Sequence, residues 1–340
     1  MGTKKAHFPK FLGIGAARCG TTWLSNSLSS HPDVWIPRLK EIHYFTRSSK
    51  YLGPSQLQNG TVAQRLFSSA QPYRRYRRKL FRAIASNIVR PSVSKLCWDA
   101  NFLLRNPSDA WYASLFSQGF GKTTGEITPR YCILDAEDIE RLKVLIPGVK
   151  IIFVMREPVD RTWSILKYHE KRWGQQLTCM PDAQLIERAM HPAILEQSDY
   201  ESSLTRWRKV FPPEQLLTAF FDEIVENPQQ LLARVCDFLQ IAPMPSSAVV
   251  EGGRKKVNAS SDRQMPVALK TVLVDRYAAM IKRLGDAEGG HFKRWFESYQ
   301  PYRRVTFETA DRVEWQRSDS LKLGNRVSEG LRSAGPCGAG

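Results

Sequence analysis

Apolar residues gather in three short runs, Phe11 to Gly15, Lys150 to Met155 and Leu216 to Phe221. Each is too short for a buried helix and reads as a strand. The run at Lys150 to Met155 is apolar on successive positions after its lysine, as expected of a central parallel strand covered on both faces. Val34 to Pro37 reads as a further short strand. Between the runs, apolar positions recur at helical spacing. Thr21 to His31 carries Trp23, Leu24 and Leu28, Pro158 opens a helix over Val159 to Trp173, and Asn227-Pro228 opens another that ends near Leu239. Strands alternating with helices predict an α/β fold on a parallel sheet, without internal repeats.

Residues 45–125 break this rhythm. They are rich in Ser, Asn and Arg with weak strand signals, and predict an inserted helical cap. Within it, Arg74 to Arg82 is dense in cations while Tyr76, Leu80, Ile84 and Ile88 recur every four residues, the pattern of a basic amphipathic helix. Three readings of that helix compete: a solvated face over the core, a grip on an anionic or glycan acceptor, and a contact with anionic lipid. Residues 318–340 end in small residues and are expected to be a disordered tail.

Composition narrows the function. The chain has 340 residues, 50 Lys and Arg against 33 Asp and Glu, and a formal charge of +17. With 42% hydrophobic residues it is globular, and the charge calls for an anionic partner. No stretch is apolar enough to span a membrane. The start, Met1 to Lys10, has no apolar core of a signal peptide, and the six cysteines are scattered without a C-x-x-C pair. Both point to reduced thiols in the cytoplasm. In that setting the glycosylation tripeptides at Asn59 and Asn258 carry no weight.

The first strand runs into Gly15-Ala-Ala-Arg18-Cys19-Gly20-Thr21-Thr22-Trp23. A strand, a glycine turn and a helix start present backbone N–H groups to a phosphate. Gly20 suits a close approach or an unusual dihedral, Thr21 and Thr22 add hydroxyls, and Arg18 adds a cation. The rival reading is a turn that is glycine-rich for packing alone. Walker A fails because its lysine is Thr21 here, and the dinucleotide fingerprint fails because Arg18 stands at its third glycine.

Gly15-x-x-Arg18-x-Gly20-Thr21-Thr22-x-Leu24 resembles the 5′-phosphosulfate loop of the sulfotransferases, which use 3′-phosphoadenosine 5′-phosphosulfate (PAPS). Most of that family have Lys where Arg18 stands. Arg156-Glu157-Pro158, Arg161 and Ser164 resemble its 3′-phosphate motif, with Glu157 in place of Asp or Asn. Asp222-Glu223 and Asp237-Phe-Leu239 resemble a structural element of the family, with the acids reversed and Gln240 in place of its glycine. Gly252-Gly-Arg254-Lys255-Lys256 resembles a late basic loop over the nucleotide. Lys40-Glu41-Ile-His43-Tyr-Phe45 resembles the heparan-sulfate and bacterial carbohydrate branch, and Glu126-Ile127-Thr128-Pro129 departs from it by having Ile127 for lysine. Arg130 or Lys40 would then replace that cation.

The resemblance implies a P-loop-NTPase-like three-layer fold with a central parallel sheet and an inserted helical cap, the domain covering 8–317. It implies transfer of a sulfuryl group from PAPS, without a metal, to a hydroxyl or amine of a carbohydrate or glycolipid. Catalytic candidates are Glu41 as base, His43 as its rival, Arg18 and Lys40. Nucleotide-binding candidates are Arg18, Cys19, Gly20, Thr21, Thr22, Trp23, Arg156, Ser164, Arg254, Lys255 and Lys256. Trp98, Trp111 and Tyr112 would either stack on a sugar or pack in the core. A P-loop kinase and a non-catalytic protein binding nucleic acid or anionic lipid are the alternatives; no nucleic-acid-binding signature supports the second.

Overall fold

The computed structural model describes residues 7–51, 61–69, 71–89, 92–173, 177, 180–245 and 264–302. The basic loop with Arg254, Lys255 and Lys256, and the tail expected at 318–340, lie outside the described residues. Strands β1 (Phe11–Gly15), β2 (Val34–Trp35), β3 (Thr123–Ile127), β4 (Lys150–Met155) and β5 (Leu216–Phe220) form one sheet in the order β2-β3-β1-β4-β5. Every neighbouring pair is parallel. Phe11 sits opposite Gly125 on one side and Lys150 on the other. All of β1 and all of β4 beyond Lys150 are buried, so helices cover both faces and the fold is a three-layer α/β sandwich.

Helix α1 (Thr21–Ser29) leaves β1. Between β2 and β3 lie the cap helices α2 (Val62–Phe67), α3 (Gln71–Val89), α4 (Val93–Leu104) and α5 (Asp109–Ser114), and α6 (Ala136–Leu145) joins β3 to β4. The next crossover holds α7 (Pro158–Trp173), α8 (Asp182–Ala189), α9 (Pro192–Leu195) and α10 (Tyr200–Val210). After β5 come α11 (Phe221–Glu226), α12 (Pro228–Leu239), α13 (Val267–Glu288) and α14 (Gly290–Ser298).

The expected α1 is two residues too long. His31 leaves the helix, is buried, and bonds Ala242 O at 2.8 Å through Nε2 while Nδ1 accepts from Asp33 N–H at 3.1 Å. The larger correction is β3. The sequence predicts a cap reaching 125, yet Thr123, Thr124 and Gly125 lie in a strand inside the sheet, between β2 and β1. Its sequence, Thr-Thr-Gly-Glu-Ile, has almost no apolar signal. Gly125 is required there, because a Cβ would lie 2.3 Å from the Phe11 ring. Glu126 is tolerated because neighbouring hydroxyls satisfy it.

Trp98, Trp111 and Tyr112 are buried in the cap's core. Trp98 and Trp111 donate their indole N–H groups to the backbone oxygens of Leu115 and Asn101. These rings therefore pack and do not form a sugar platform. Among the described residues no helix is long and apolar enough to cross a membrane, and Cys19, Cys97, Cys132 and Cys236 are free thiols.

Candidate active site

The carboxyl ends of β1, β3 and β4 converge on the turn from Ala16 to Gly20. Arg161 of α7 and Gln197 fix that turn from below. Gln197 Oε1 accepts from Ala17 N–H at 3.3 Å, and the fully buried Arg161 donates to Ala17 O at 3.4 Å and to Ser198 Oγ at 2.6 Å. Gly20 has φ 84°, and a Cβ there would meet Ile224 Cδ1 at 2.4 Å. Glycine is thus needed both for the left-handed turn and for the close approach of α11. Side chains cap the starts of several helices, Ser92, Ser108, Asp135 and Asn227 among them, but no side chain caps α1. The first intrahelical bond is Leu24 N–H to Gly20 O at 3.0 Å. The amides of Thr21, Thr22 and Trp23 precede it, at the positive end of the helix dipole.

Cys19 and Trp23 serve this turn differently from the hydroxyls. The Cys19 thiol is buried, 3.8 Å from Tyr200 Oη, and its N–H donates to Ala16 O. The Trp23 indole is core, so a ligand at this turn could use only its backbone amide.

Three cations crowd the turn. Arg18 lies across α7, donating from Nε to Ser164 Oγ at 3.1 Å with its guanidinium 5.0 Å from the Tyr168 ring centre. Arg156, at the end of β4, reaches Arg18 O at 3.5 Å and stacks on Phe221 at 4.5 Å. Its Nε is buried with no hydrogen-bond partner. Lys40 comes from the loop after β2 and donates to Thr22 Oγ1 at 2.9 Å and to Thr21 Oγ1 at 3.3 Å. Burial, and then the charge of Arg156, hold Arg18 below the usual arginine value. Burial depresses Lys40 too, with Glu41 opposing and Arg18 assisting. The turn thus gathers like charges, with Glu41 beside Lys40 and Asp160 4.0 Å from Arg156 as their acidic neighbours, and one buried donor to spare.

The loop with Lys40 also holds the candidate bases. Glu41 lies 3.8 Å from Lys40 Nζ and 3.6 Å from His43 Nε2, and His43 Nδ1 faces Thr46 Oγ1 at 3.2 Å. Glu41 and His43 both have positive φ, 69° and 62°, as does Arg18 at 71°. Among the described residues the only other non-glycine with positive φ is Gln240, at the end of α12. An L-residue in this region costs about 1 kcal/mol or more. Such strain persists only where surrounding contacts impose it.

Those contacts converge on Glu126. Its buried carboxylate accepts from Tyr112 Oη at 2.7 Å, Tyr131 Oη at 2.8 Å, Thr128 Oγ1 at 3.2 Å and the Ile42 amide at 3.2 Å. Tyr131 Oη in turn takes the Tyr44 amide at 2.8 Å. The backbone is therefore pinned on both sides of His43. Burial pushes the Glu126 carboxyl above the usual range, against the hydrogen bonds from Tyr112 and Tyr131.

At the departure noted in the sequence, Ile127 is fully buried, and a Cβ on Gly13 would meet its Cγ1 at 2.8 Å. Lys40 makes the hydroxyl contacts described above. Arg130 lies within electrostatic reach of Glu41 and Glu196, with Nη2 buried and lacking a hydrogen-bond partner. Sequence reasoning missed Glu126, Gln197 and Tyr200. Gln197 and Tyr200 reach the turn across 180 and 181 positions, which no local pattern carries; Glu126 stands in the quoted motif with Thr128 and Tyr131 near it, but the Ile42 contact that gives it its role spans 84.

The arrangement is an uncapped helix start ringed by cations at the carboxyl end of the central strand of a parallel α/β sheet. A model of the Sulfotransferase family matches residues 9–245, and the chain belongs to that family. Carbohydrate sulfotransferase 15 of Homo sapiens is 26% identical over 264 residues, covering 69% of this chain and 44% of that protein. The human bifunctional heparan sulfate N-deacetylase/N-sulfotransferase 2 is 24% identical over 225 residues, covering 63% of this chain and 24% of that protein. The chain thus spans less than half the length of these curated relatives. A crystal structure of a sulfotransferase from Alicyclobacillus acidocaldarius shares the fold, with a TM-score of 0.55 at 22% identity over 84% of this chain and 98% of that one.

Proposed function

We propose that this protein moves a sulfuryl group from PAPS to a hydroxyl or amine of a carbohydrate or glycolipid acceptor. The observation that carries the reading is the cluster of Arg18, Lys40 and Arg156 at the uncapped start of α1, with Arg156 Nε buried and unpartnered. The first-turn amides, Thr21, Thr22, Arg18 and Lys40 would hold the 5′-phosphosulfate end. Arg156 and Ser164 would hold the 3′-phosphate, and Arg254, Lys255 and Lys256 fall outside the described residues. Family membership supports the donor, and the printed names of the carbohydrate and heparan sulfate relatives support a glycan acceptor.

The donor supplies the sulfuryl group; the chain supplies alignment and charge. Glu41 takes the acceptor's proton as the new bond to sulfur forms. Arg18, Lys40 and the α1 amides meet the negative charge released on the phosphate side as the old bond breaks. The Glu41 side chain is 41% exposed against 14% for His43, which favours Glu41 as the group an acceptor would meet. His43, between Glu41 and Thr46, orients it.

Calorimetry with 3′,5′-ADP and with ATP tests the reading. We expect 3′,5′-ADP to bind more tightly than ATP. Arg18→Ala should weaken 3′,5′-ADP by roughly 10-fold or more, as loss of a charged hydrogen-bond donor does. No heat with 3′,5′-ADP would end the proposal.

A further inference from the structure

Between Glu41 and Asp99 the chain contains eleven Lys and Arg and no Asp or Glu. Eleven of the net seventeen positive charges therefore fall on a segment made mostly of the cap. The nucleotide cluster does not absorb them, because its cations come from Arg18, Lys40 and Arg156.

Helix α3 shows how this charge is displayed. One face is anchored: Tyr76 is buried with its hydroxyl donating to Leu103 O, Arg65 lies over the Tyr76 ring at 5.3 Å, and Leu80 is half-buried. The opposite face carries Arg74, Arg78, Phe81 and Arg82, spaced by four, three and one, all exposed. That spacing places them on one stripe. No ion pair among the described residues involves these three arginines.

Apolar side chains lie within the same face. Phe81 is 73% exposed, and Ile84, one turn on, is 48% exposed. Phe67, 85% exposed, ends α2, and the next residue's carbonyl accepts from Arg77 of α3 at 2.6 Å. The expected four-residue stripe is thus only partly buried: Tyr76 packs inward and Ile84 does not.

We infer that this face of α3 docks on an anionic lipid bilayer. The arginines would meet lipid phosphates, and Phe81, Ile84 and Phe67 would enter the boundary between headgroups and acyl chains. Charge complementarity selects an anionic surface, and the absence of any acidic residue in the segment removes local repulsion. The exposed apolar groups select a bilayer over a soluble polyanion, which offers charge but nowhere to bury a phenyl ring. The inference does not depend on the reaction, since its measurement needs no turnover.

The test is flotation of the full chain with vesicles of phosphatidylcholine alone and of phosphatidylcholine with about one-third phosphatidylglycerol. We expect binding to the second and none to the first. Arg74→Gln, Arg78→Gln and Arg82→Gln should each weaken partitioning about fivefold. The pair Phe81→Ser and Ile84→Ser should weaken it by roughly 10-fold or more. The melting temperature should hold, because both side chains already face water. Absence of binding to the anionic vesicles would overturn the inference. So would binding that Phe81→Ser and Ile84→Ser leave unchanged and that dextran sulfate matches, which would make the face a polyanion surface.

Discussion

The turn after β1 and the cap helix α3 are both cationic, and they handle charge in opposite ways. At the turn, Arg18, Lys40 and Arg156 are partly desolvated, pressed against one another and locked by hydroxyls and backbone oxygens. On α3, Arg74, Arg78 and Arg82 stand in water. If the turn takes the donor as proposed, these partly desolvated cations meet its charge, so their removal should affect ligand and rate. Solvated cations store almost no free energy, and their removal should be silent unless a surface approaches.

The sharpest way to break that contrast is at the bases. Glu41→Gln should lower turnover by about 10²- to 10⁴-fold, the range for a lost general base, as initial rates with labelled PAPS would measure. His43→Ala should cost less, acting through orientation. The reverse ranking would transfer the base to His43.

A smaller effect sits beneath Arg156. The Glu157 carboxyl accepts from the amides of Val159 and Asp160 and from the Tyr299 hydroxyl. Burial, with Asp160 adding to it, pushes Glu157 from 4.5 up to about 7. A carboxyl whose native value lies above its unfolded value keeps its proton longer when folded. Its contribution is therefore full at low pH and fades as pH rises from 4.5 towards 7, by on the order of 2 kcal/mol. Urea midpoints at the two ends of that window should differ in this sense, and Glu157→Gln should flatten the dependence.

The smallest expected change is on the cap. Arg78→Gln should alter stability by no more than about 0.5 kcal/mol and leave turnover with a soluble acceptor unaltered. A large loss of rate would show that the cap's charge belongs to the active site after all, and the contrast would fail.

Legibility in the sequence follows the same division between local and distant causes. β1 and β4 announce themselves because a strand covered on both faces must be apolar along its length, β5 by a short apolar run although it is an edge strand and only partly buried, and α12 because Asn227 and Pro228 form a local start signal. The phosphate-type turn was readable for the same reason, since glycine, cation and hydroxyls lie within a few residues. β3 was hidden: of its buried positions only Ile127 is apolar, and the groups that make Gly125 and Glu126 fit there arrive from Phe11, Tyr112 and Tyr131. Arg161, read in the sequence only as part of the 3′-phosphate-type motif, is a buried strut under Ala17, a fate decided by α9 and the residues after it.

Lys40 gives the site its mechanical character. One ammonium touches both threonine hydroxyls and lies beside the neighbouring carboxylate, so the proposed seat for the donor and the arm proposed to deprotonate the acceptor share a single rivet. Loosening either half disturbs the other, and a substitution at this lysine would register as two faults at once.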